Sequence, residues 1–135
     1  MADFSITAAN VIAGGVVPTK TAGEALVAGE AVYKKVADGK YYKAQADGNE
    51  EEAKFAGVAV NNCAAGQPFS LVEAGELTVG SALGSAGKAV VLSAAAGKLA
   101  PIADLLTGHR LTIVGYSKSA TVLVIQSIVT GTQVP

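Results

Sequence analysis

Short apolar stretches with an alternating pattern recur along the chain, and each one ends at a turn of small residues. The clearest run is residues 55–79, in which apolar side chains occupy every second position in three groups: Val58 and Val60, Phe69 and Leu71, and Leu77 and Val79. Strict alternation is typical of half-buried antiparallel strands. The run therefore predicts two short strands and the start of a third, with joints at Ala65-Gly66 and Ala74-Gly75, where glycine permits a tight turn.

The same style of pattern predicts further short strands on both sides of this run, at residues 31–36, 41–46, 88–93, 98–101, 110–116 and 121–129. Asp38-Gly39 predicts a type I′ hairpin turn that brings Tyr33 opposite Tyr41 and Tyr42. The last two strands are expected to be the centre of stability, with four inward-facing residues: Leu111, Ile113, Leu123 and Ile125.

Helical signals are few. Residues 50–54 predict one helical turn capped by Asn49, and residues 102–106 predict a short helix that stops at Gly108. No repeat of fixed period is present. The pattern as a whole predicts a mainly β protein, a small barrel or sandwich of short antiparallel strands with one or two short helices.

Residues 3–12 alternate loosely and predict a strand or an extended arm. Gly14-Gly15 and Pro18 separate them from the domain, so an extended N-terminal arm is expected over residues 1–17. Its apolar residues are expected to contact a partner by adding a strand to a neighbouring sheet: Phe4, Ile6, Val11 and Ile12. A single β-domain is expected over residues 18–130, and a C-terminal tail over residues 131–135.

Composition favours a protein that works in an assembly. Hydrophobic residues make up 50% of the 135-residue chain but aromatic residues only 5%, so alanine and valine supply the apolar content. With few charges, such a chain either exposes apolar patches that mark partner surfaces or holds a compact alanine-rich core. Residues 34–54 carry ten of the 21 charged side chains and residues 77–135 carry five. The first region is expected to face water and the second to be covered, by its own core or by partners.

The net charge of -1 gives no basic excess to attract nucleic acid. The amino terminus shows no signal peptide, and polar residues interrupt the apolar region 111–129, so no membrane span is expected. The single cysteine, Cys63, has no partner for an internal disulfide, which is compatible with synthesis in a reducing cytoplasm.

No residue set predicts catalysis, a metal site or a cofactor site. His109 is the only histidine, and Asp104 and Ser117 are its nearest candidates for a triad, but no nucleophile-elbow pattern surrounds a serine. The acidic residues 50–52 do not alternate as calcium ligands do. The glycine-rich residues 80–87 lack the lysine of a phosphate loop and predict a flexible surface loop. An enzymatic role is therefore not expected.

The chain also carries a motif. From residue 57 it has the form G-V-A-x-N-x-x-A-A-G-x-P-x-x-L-V-x-x-G, and an earlier part contains Ala22-Gly23, Ala28-Gly29 and Ala31-Val32. This motif, over about residues 15–95, resembles the small head decoration (capsid cement) proteins of tailed bacteriophages. The resemblance implies a β-tulip domain, assembly as a homotrimer at three-fold positions, and extended termini that contact the shell.

It further implies a virion protein that is made in the host cytoplasm. On the outer surface of the capsid, such a protein bridges neighbouring major capsid protein subunits. The alternative is a binding module of the phage tail-fibre or adhesin type, although a fibre favours a longer and more repetitive chain.

Overall fold

The computed structural model describes residues 3–13 and 17–134, and it confirms a mainly β protein, with 45% of residues in strands. Within these residues, eleven strands form two curled antiparallel sheets that together make a half-barrel. They run as β1 Val11–Ala13, β2 Thr19–Thr21, β3 Ala31–Lys34, β4 Tyr41–Lys43, β5 Phe55–Ala59, β6 Pro68–Val72, β7 Gly75–Val79, β8 Ala89–Leu92, β9 Leu99–Pro101, β10 Arg110–Ser117 and β11 Val122–Gln133.

One sheet has six strands in the order β1-β7-β11-β10-β8-β9, and the other has five in the order β2-β6-β5-β3-β4. The alternating run of residues 55–79 does form three strands, as predicted. Its second and third strands belong to different sheets, so the turn at residues 73–74 carries the chain from one sheet to the other. Gly75 follows this turn with φ +102°, a conformation that side chains other than glycine rarely adopt.

The main core lies between the two sheets and combines small residues with aliphatic ones. Val58 and Val72 contribute to it from the five-stranded sheet, and Leu77, Leu123 and Ile125 from the six-stranded sheet. Many of its members are alanine and valine, so the sheets pack closely without many aromatic rings.

The β3–β4 hairpin corrects the predicted turn type. A type I′ turn needs positive φ at both of its central residues. Among the described residues only glycines have positive φ, so Gly39 has it, at +71°, and Asp38 does not. The turn spans residues 35–40, and the Asp38 carboxylate accepts hydrogen bonds from the Lys40 backbone N–H at 2.9 Å and the Tyr42 hydroxyl at 2.6 Å. The predicted tyrosine pairing is confirmed for Tyr42, which opposes Tyr33 with ring centroids 6.2 Å apart. It is wrong for Tyr41, which opposes Lys34 and packs edge-to-face against Phe69.

The inward face of β10 is not the predicted one. Thr112 and Val114 are fully buried, whereas Leu111 and Ile113 are only half-buried. Two positions beyond Val114, Tyr116 is exposed although simple alternation would bury it. A β-bulge explains this reversal, because the pairing of β10 with β11 shifts register between Ile113 and Gly115. On β11 the prediction holds, since Leu123 and Ile125 are both buried.

The two expected helical segments are single 3₁₀ turns, at Glu51–Ala53 and Ile102–Asp104, and a third such turn, at Ala8–Asn10, was not predicted. The predicted cap at Asn49 is confirmed. Its side-chain oxygen accepts the Glu52 N–H at 2.9 Å, and the Glu52 carboxylate accepts the Asn49 N–H at 3.1 Å. This reciprocal pair is the arrangement of a capping box.

Residues 3–13 of the predicted arm lie on the domain rather than extending away from it. β1 pairs with β7, and the Phe4 N–H donates to the Leu99 carbonyl at 2.9 Å. Apolar side chains drive this packing, because Phe4 and Ile6 lie against the main core. Residues 14–16, which include the glycine pair, are outside the described residues. At the other end, β11 continues to Gln133, through most of the segment expected to be a tail.

Candidate interaction face

The outer sides of the two sheets differ in whether the chain covers them. On the five-stranded sheet, the segment from Ala22 to Leu26 packs over Val32, Phe69 and Leu71 and closes a second small core. Reciprocal backbone hydrogen bonds between Leu26 and Cys63, each 3.0 Å, fix that cover. Among the described residues, no such segment covers the middle strands on the outer side of the six-stranded sheet, where several large apolar side chains remain exposed.

Strand register shows which residues share this open side, because directly opposed residues on neighbouring strands point the same way. One row of opposed residues crosses the sheet from Ile12 on β1 through Thr78 on β7 to Val122 on β11. A second row starts at Glu76 on β7 and crosses the next three strands at Val124, Tyr116 and Ala89. A third row begins with Ile128 and Ile113 and ends at the buried residues Val91 and Ala100. We call the open part the outer sheet face and define it by six residues: Ile12, Ile113, Tyr116, Val122, Val124 and Ile128.

Three of these residues are strongly exposed, Ile12 at 61%, Tyr116 at 45% and Ile128 at 57%. The other three are half-buried between them. A contiguous apolar surface of this kind is typical of a protein-binding surface, whereas scattered single apolar residues are common on any protein.

The only charged residue in these three rows is Glu76, and it is paired. Its carboxylate accepts a hydrogen bond from the Lys118 ammonium at 2.9 Å, with both side chains more than half exposed. This hydrogen bond and the nearby negative charge raise the pKa of Lys118 above its ordinary value. The face therefore has an uncharged centre and a polar margin.

Charge gathers instead around the β3–β4 hairpin. The hydrogen bond from the Tyr42 hydroxyl lowers the pKa of the Asp38 carboxyl, and the same bond raises the pKa of Tyr42. Burial, followed by the nearby Glu52 and Glu51 carboxylates, raises the pKa of Tyr33. The charge asymmetry in the sequence thus corresponds to a charged hairpin and an apolar sheet face.

The four predicted arm contacts do not form one exposed surface. Phe4, Ile6 and Val11 turn toward the protein's own core, because they pack beside buried residues of both sheets. Ile12 alone points outward, and it lies on the outer sheet face. The sequence therefore found one of the six residues of this face as a candidate contact.

The candidate triad is not assembled. Ser117 is buried, and its hydroxyl donates to the Ser85 carbonyl and accepts the Lys88 N–H, each at 2.8 Å. His109 lines a different depression together with Asp104, and its Nδ1 accepts the Leu106 N–H at 3.1 Å. Ser117 does not line that depression, and its hydrogen bonds are those of a structural residue.

A different serine lies in the depression of His109. The Ser93 hydroxyl donates to the Asp3 carboxylate at 2.5 Å and accepts the Ala95 N–H at 3.1 Å. The first bond holds the N-terminal segment in place, and the second is a local turn contact, so both are those of a structural residue. Sequence reasoning missed this pair, since 90 positions separate the two residues and no local pattern connects them.

The acidic turn uses its carboxylates as internal acceptors. Glu51 accepts the Val36 N–H at 3.2 Å, and Glu52 accepts the Gln45 side-chain amide at 2.9 Å. Across the residues that the structure describes, no group of three or more His, Cys, Asp or Glu side chains is placed to hold a metal ion. In the glycine-rich loop, Leu83 is fully buried and anchors residues 80–87 to the main core.

Two comparisons of the sequence with known proteins identify no relative. A scan against protein-family models finds no match for the chain, and a search of curated proteins finds no significant match. Within residues 3–13 and 17–134, no helix has both the length and the apolar character needed to span a membrane. The geometry of the outer sheet face is therefore the main structural observation that bears on function.

Proposed function

We propose that this chain is a structural virion protein that attaches to the outer surface of an assembled phage capsid. There it stabilises the head by bridging neighbouring major capsid protein subunits. The motif of residues 57–75 carries the resemblance to capsid cement proteins, and the outer sheet face is the single structural observation that supports the proposal most strongly.

The composition of the face suits attachment to another protein. The centres of protein interfaces are depleted in charge and enriched in aromatic residues, while their margins are polar. Tyr116 lies between Val124 and Ala89 near the middle of the face, and the Glu76–Lys118 pair borders it. Tyrosine is a residue that often carries a large part of the binding energy.

The geometry favours a part of the chain other than a free arm for the proposed contact. Of the four arm residues, only Ile12 faces outward, so the proposed attachment uses Ile12 as part of the sheet face rather than a free arm. The charged β3–β4 hairpin remains in water on the assembled particle. The homotrimer and the three-fold position stay predictions from the resemblance.

Binding to undecorated phage heads tests the proposal directly. Purified protein is mixed with heads that lack their decoration protein, the heads are pelleted, and negative-stain microscopy records added density. Tyr116→Lys places a charge in the centre of the face and is expected to weaken attachment about 30-fold, as loss of a central aromatic contact does. Val36→Lys is the matched control, because Val36 is 83% exposed but lies in the charged hairpin.

Two results would contradict the proposal. Absence of wild-type protein from pelleted heads would remove the capsid function. Equal attachment of the Tyr116→Lys and Val36→Lys proteins, both shown to be folded by circular dichroism, would place the contact somewhere other than the outer sheet face.

A further inference from the structure

The last strand has an edge that the rest of the sheet leaves open. β11 runs to Gln133, but β7 pairs with it only from Val122 to Ile125. Beyond that point β10 continues along one side, and no described strand lies along the other. We call residues Gln126–Thr130 the free β11 edge.

This edge lacks protection by charge or proline. Natural proteins commonly protect exposed edges with charged side chains, proline or bulges, because unpaired backbone groups recruit further strands. Residues 119–134 contain neither a charged residue nor a proline. The pairing of β11 with β10 shifts register between Ile125 and Ile128 and again between Val129 and Gln133, so the regular part of this edge is short and includes Ile128 and Val129.

The surroundings leave room for an incoming strand. A shallow depression of about 530 Å³ lies where the β7 pairing stops, lined by residues 73–75 on one side and by Tyr116 and residues 124–127 on the other. Ile128 and Val129 are consecutive residues on β11 and are both exposed, at 57% and 42%. Consecutive side chains point to opposite faces of a strand, so an added strand would meet apolar contacts on both faces.

We propose that the free β11 edge pairs with the same edge of a second copy of this chain, antiparallel about a two-fold axis. A two-fold interface brings one patch against itself, so it requires a patch that does not repel its own copy. The uncharged residues 119–134 meet this requirement, because like charges opposed across a strand pair destabilise it. The unpaired backbone N–H and C=O groups of this edge can be satisfied by an extended strand, and the same edge of a second copy is an extended strand of equal length.

The pairing would join two six-stranded sheets into one continuous sheet. The outer sheet faces of both copies would then lie side by side, because the added ladder continues the pleat of the parent sheets. This arrangement does not depend on shell attachment, and it differs from the three-fold assembly that the resemblance implies.

Sedimentation velocity on the full chain tests the inference across a range of concentrations. The wild-type protein is expected to shift from one 13.4 kDa chain to two as its concentration rises. Ile128→Lys and Gln126→Lys, tested separately, each place one charge on the edge of both copies, so two like charges meet in the interface. Each variant is expected to weaken self-association about tenfold or more. Val36→Lys, an equally drastic change at an exposed apolar position off the edge, is expected to behave as the wild type.

Amide hydrogen exchange gives a second reading at the backbone itself. Within residues 126–130, the amides that point to the open side are expected to exchange more slowly at high protein concentration, where the edge is paired. A protein that stays monomeric, or that sediments as three chains, would overturn the two-fold pairing. Unchanged self-association in both folded edge variants would also overturn it. None of these results bears on capsid attachment, which the head-binding experiment tests separately.

Discussion

Replacing Gly115 with alanine tests whether the bulge between β10 and β11 is as tightly packed as the structure indicates. An ideal Cβ placed on Gly115 would lie 1.8 Å from the Val124 carbonyl oxygen, where ordinary contacts begin at 3.4 Å. The backbone of Gly115 does not have positive φ, so the position requires glycine for space and not for conformation.

The size of the effect follows from the movement that alanine would require. Restoring an ordinary contact means separating the two strands locally by about 1.6 Å, which lengthens neighbouring N–H···O bonds well beyond the usual 2.7–3.2 Å. Loss of two or three such bonds at about 1 kcal/mol each, with about 1–3 kcal/mol of packing strain, predicts about 3–6 kcal/mol of destabilisation. For a domain of this length that corresponds to a melting temperature lower by about 10 °C or more.

Urea and thermal unfolding followed by circular dichroism would measure this change. Gly66→Ala is the control, because Gly66 has φ +82° but no atom lies within 4 Å of the point that its Cβ would occupy. Alanine there is expected to cost only the about 1–2 kcal/mol of a left-handed backbone. If Gly115→Ala were no more destabilising than Gly66→Ala, the argument from close strand contact would be refuted.

Three further outcomes are expected. Val114→Ala should destabilise the fold by about 2 kcal/mol, from lost burial and a cavity, and far more than Val129→Ala, whose side chain is 42% exposed; equal urea midpoints would show that the inward face of β10 is misassigned. Tyr42→Phe should return the Asp38 pKa toward its ordinary value, read from the carboxyl carbon shift by NMR, and an unchanged pKa would contradict the hydrogen bond. Because that pKa is lowered in the folded state, the stability from this bond is present above the ordinary aspartate pKa and is lost as pH falls through the lowered one. Deletion of residues 2–12 should lower the melting temperature, since most of these residues pack on the domain, and an unchanged value would support a free arm.

Local sequence patterns were enough to predict the fold class and most strand positions. Alternation in residues 55–79 depends only on local spacing, since successive side chains of a strand point to opposite faces. The Asn49 cap is likewise a local contact, made within one turn of chain. The inward positions of β11, Leu123 and Ile125, followed the same rule.

Long-range packing sets where that local rule fails and which surfaces remain open. On β10 the inward residues are Thr112 and Val114, although the apolar pattern favoured their neighbours. Thr112 is buried because its hydroxyl donates to the Ala53 carbonyl at 2.6 Å, a partner 59 positions away. A polar residue can lie inside a sheet when a distant carbonyl satisfies its hydroxyl, and alternation carries no information about such a partner.

The apolar arm shows the same limit. Phe4, Ile6 and Ile12 look alike in sequence, but the first two contact the protein's own core and the third lies on the outer sheet face. That division depends on which strands lie beside β1, and on whether a loop covers the outside of each sheet. Both are set by long-range packing, so the interaction face became visible only in the folded chain.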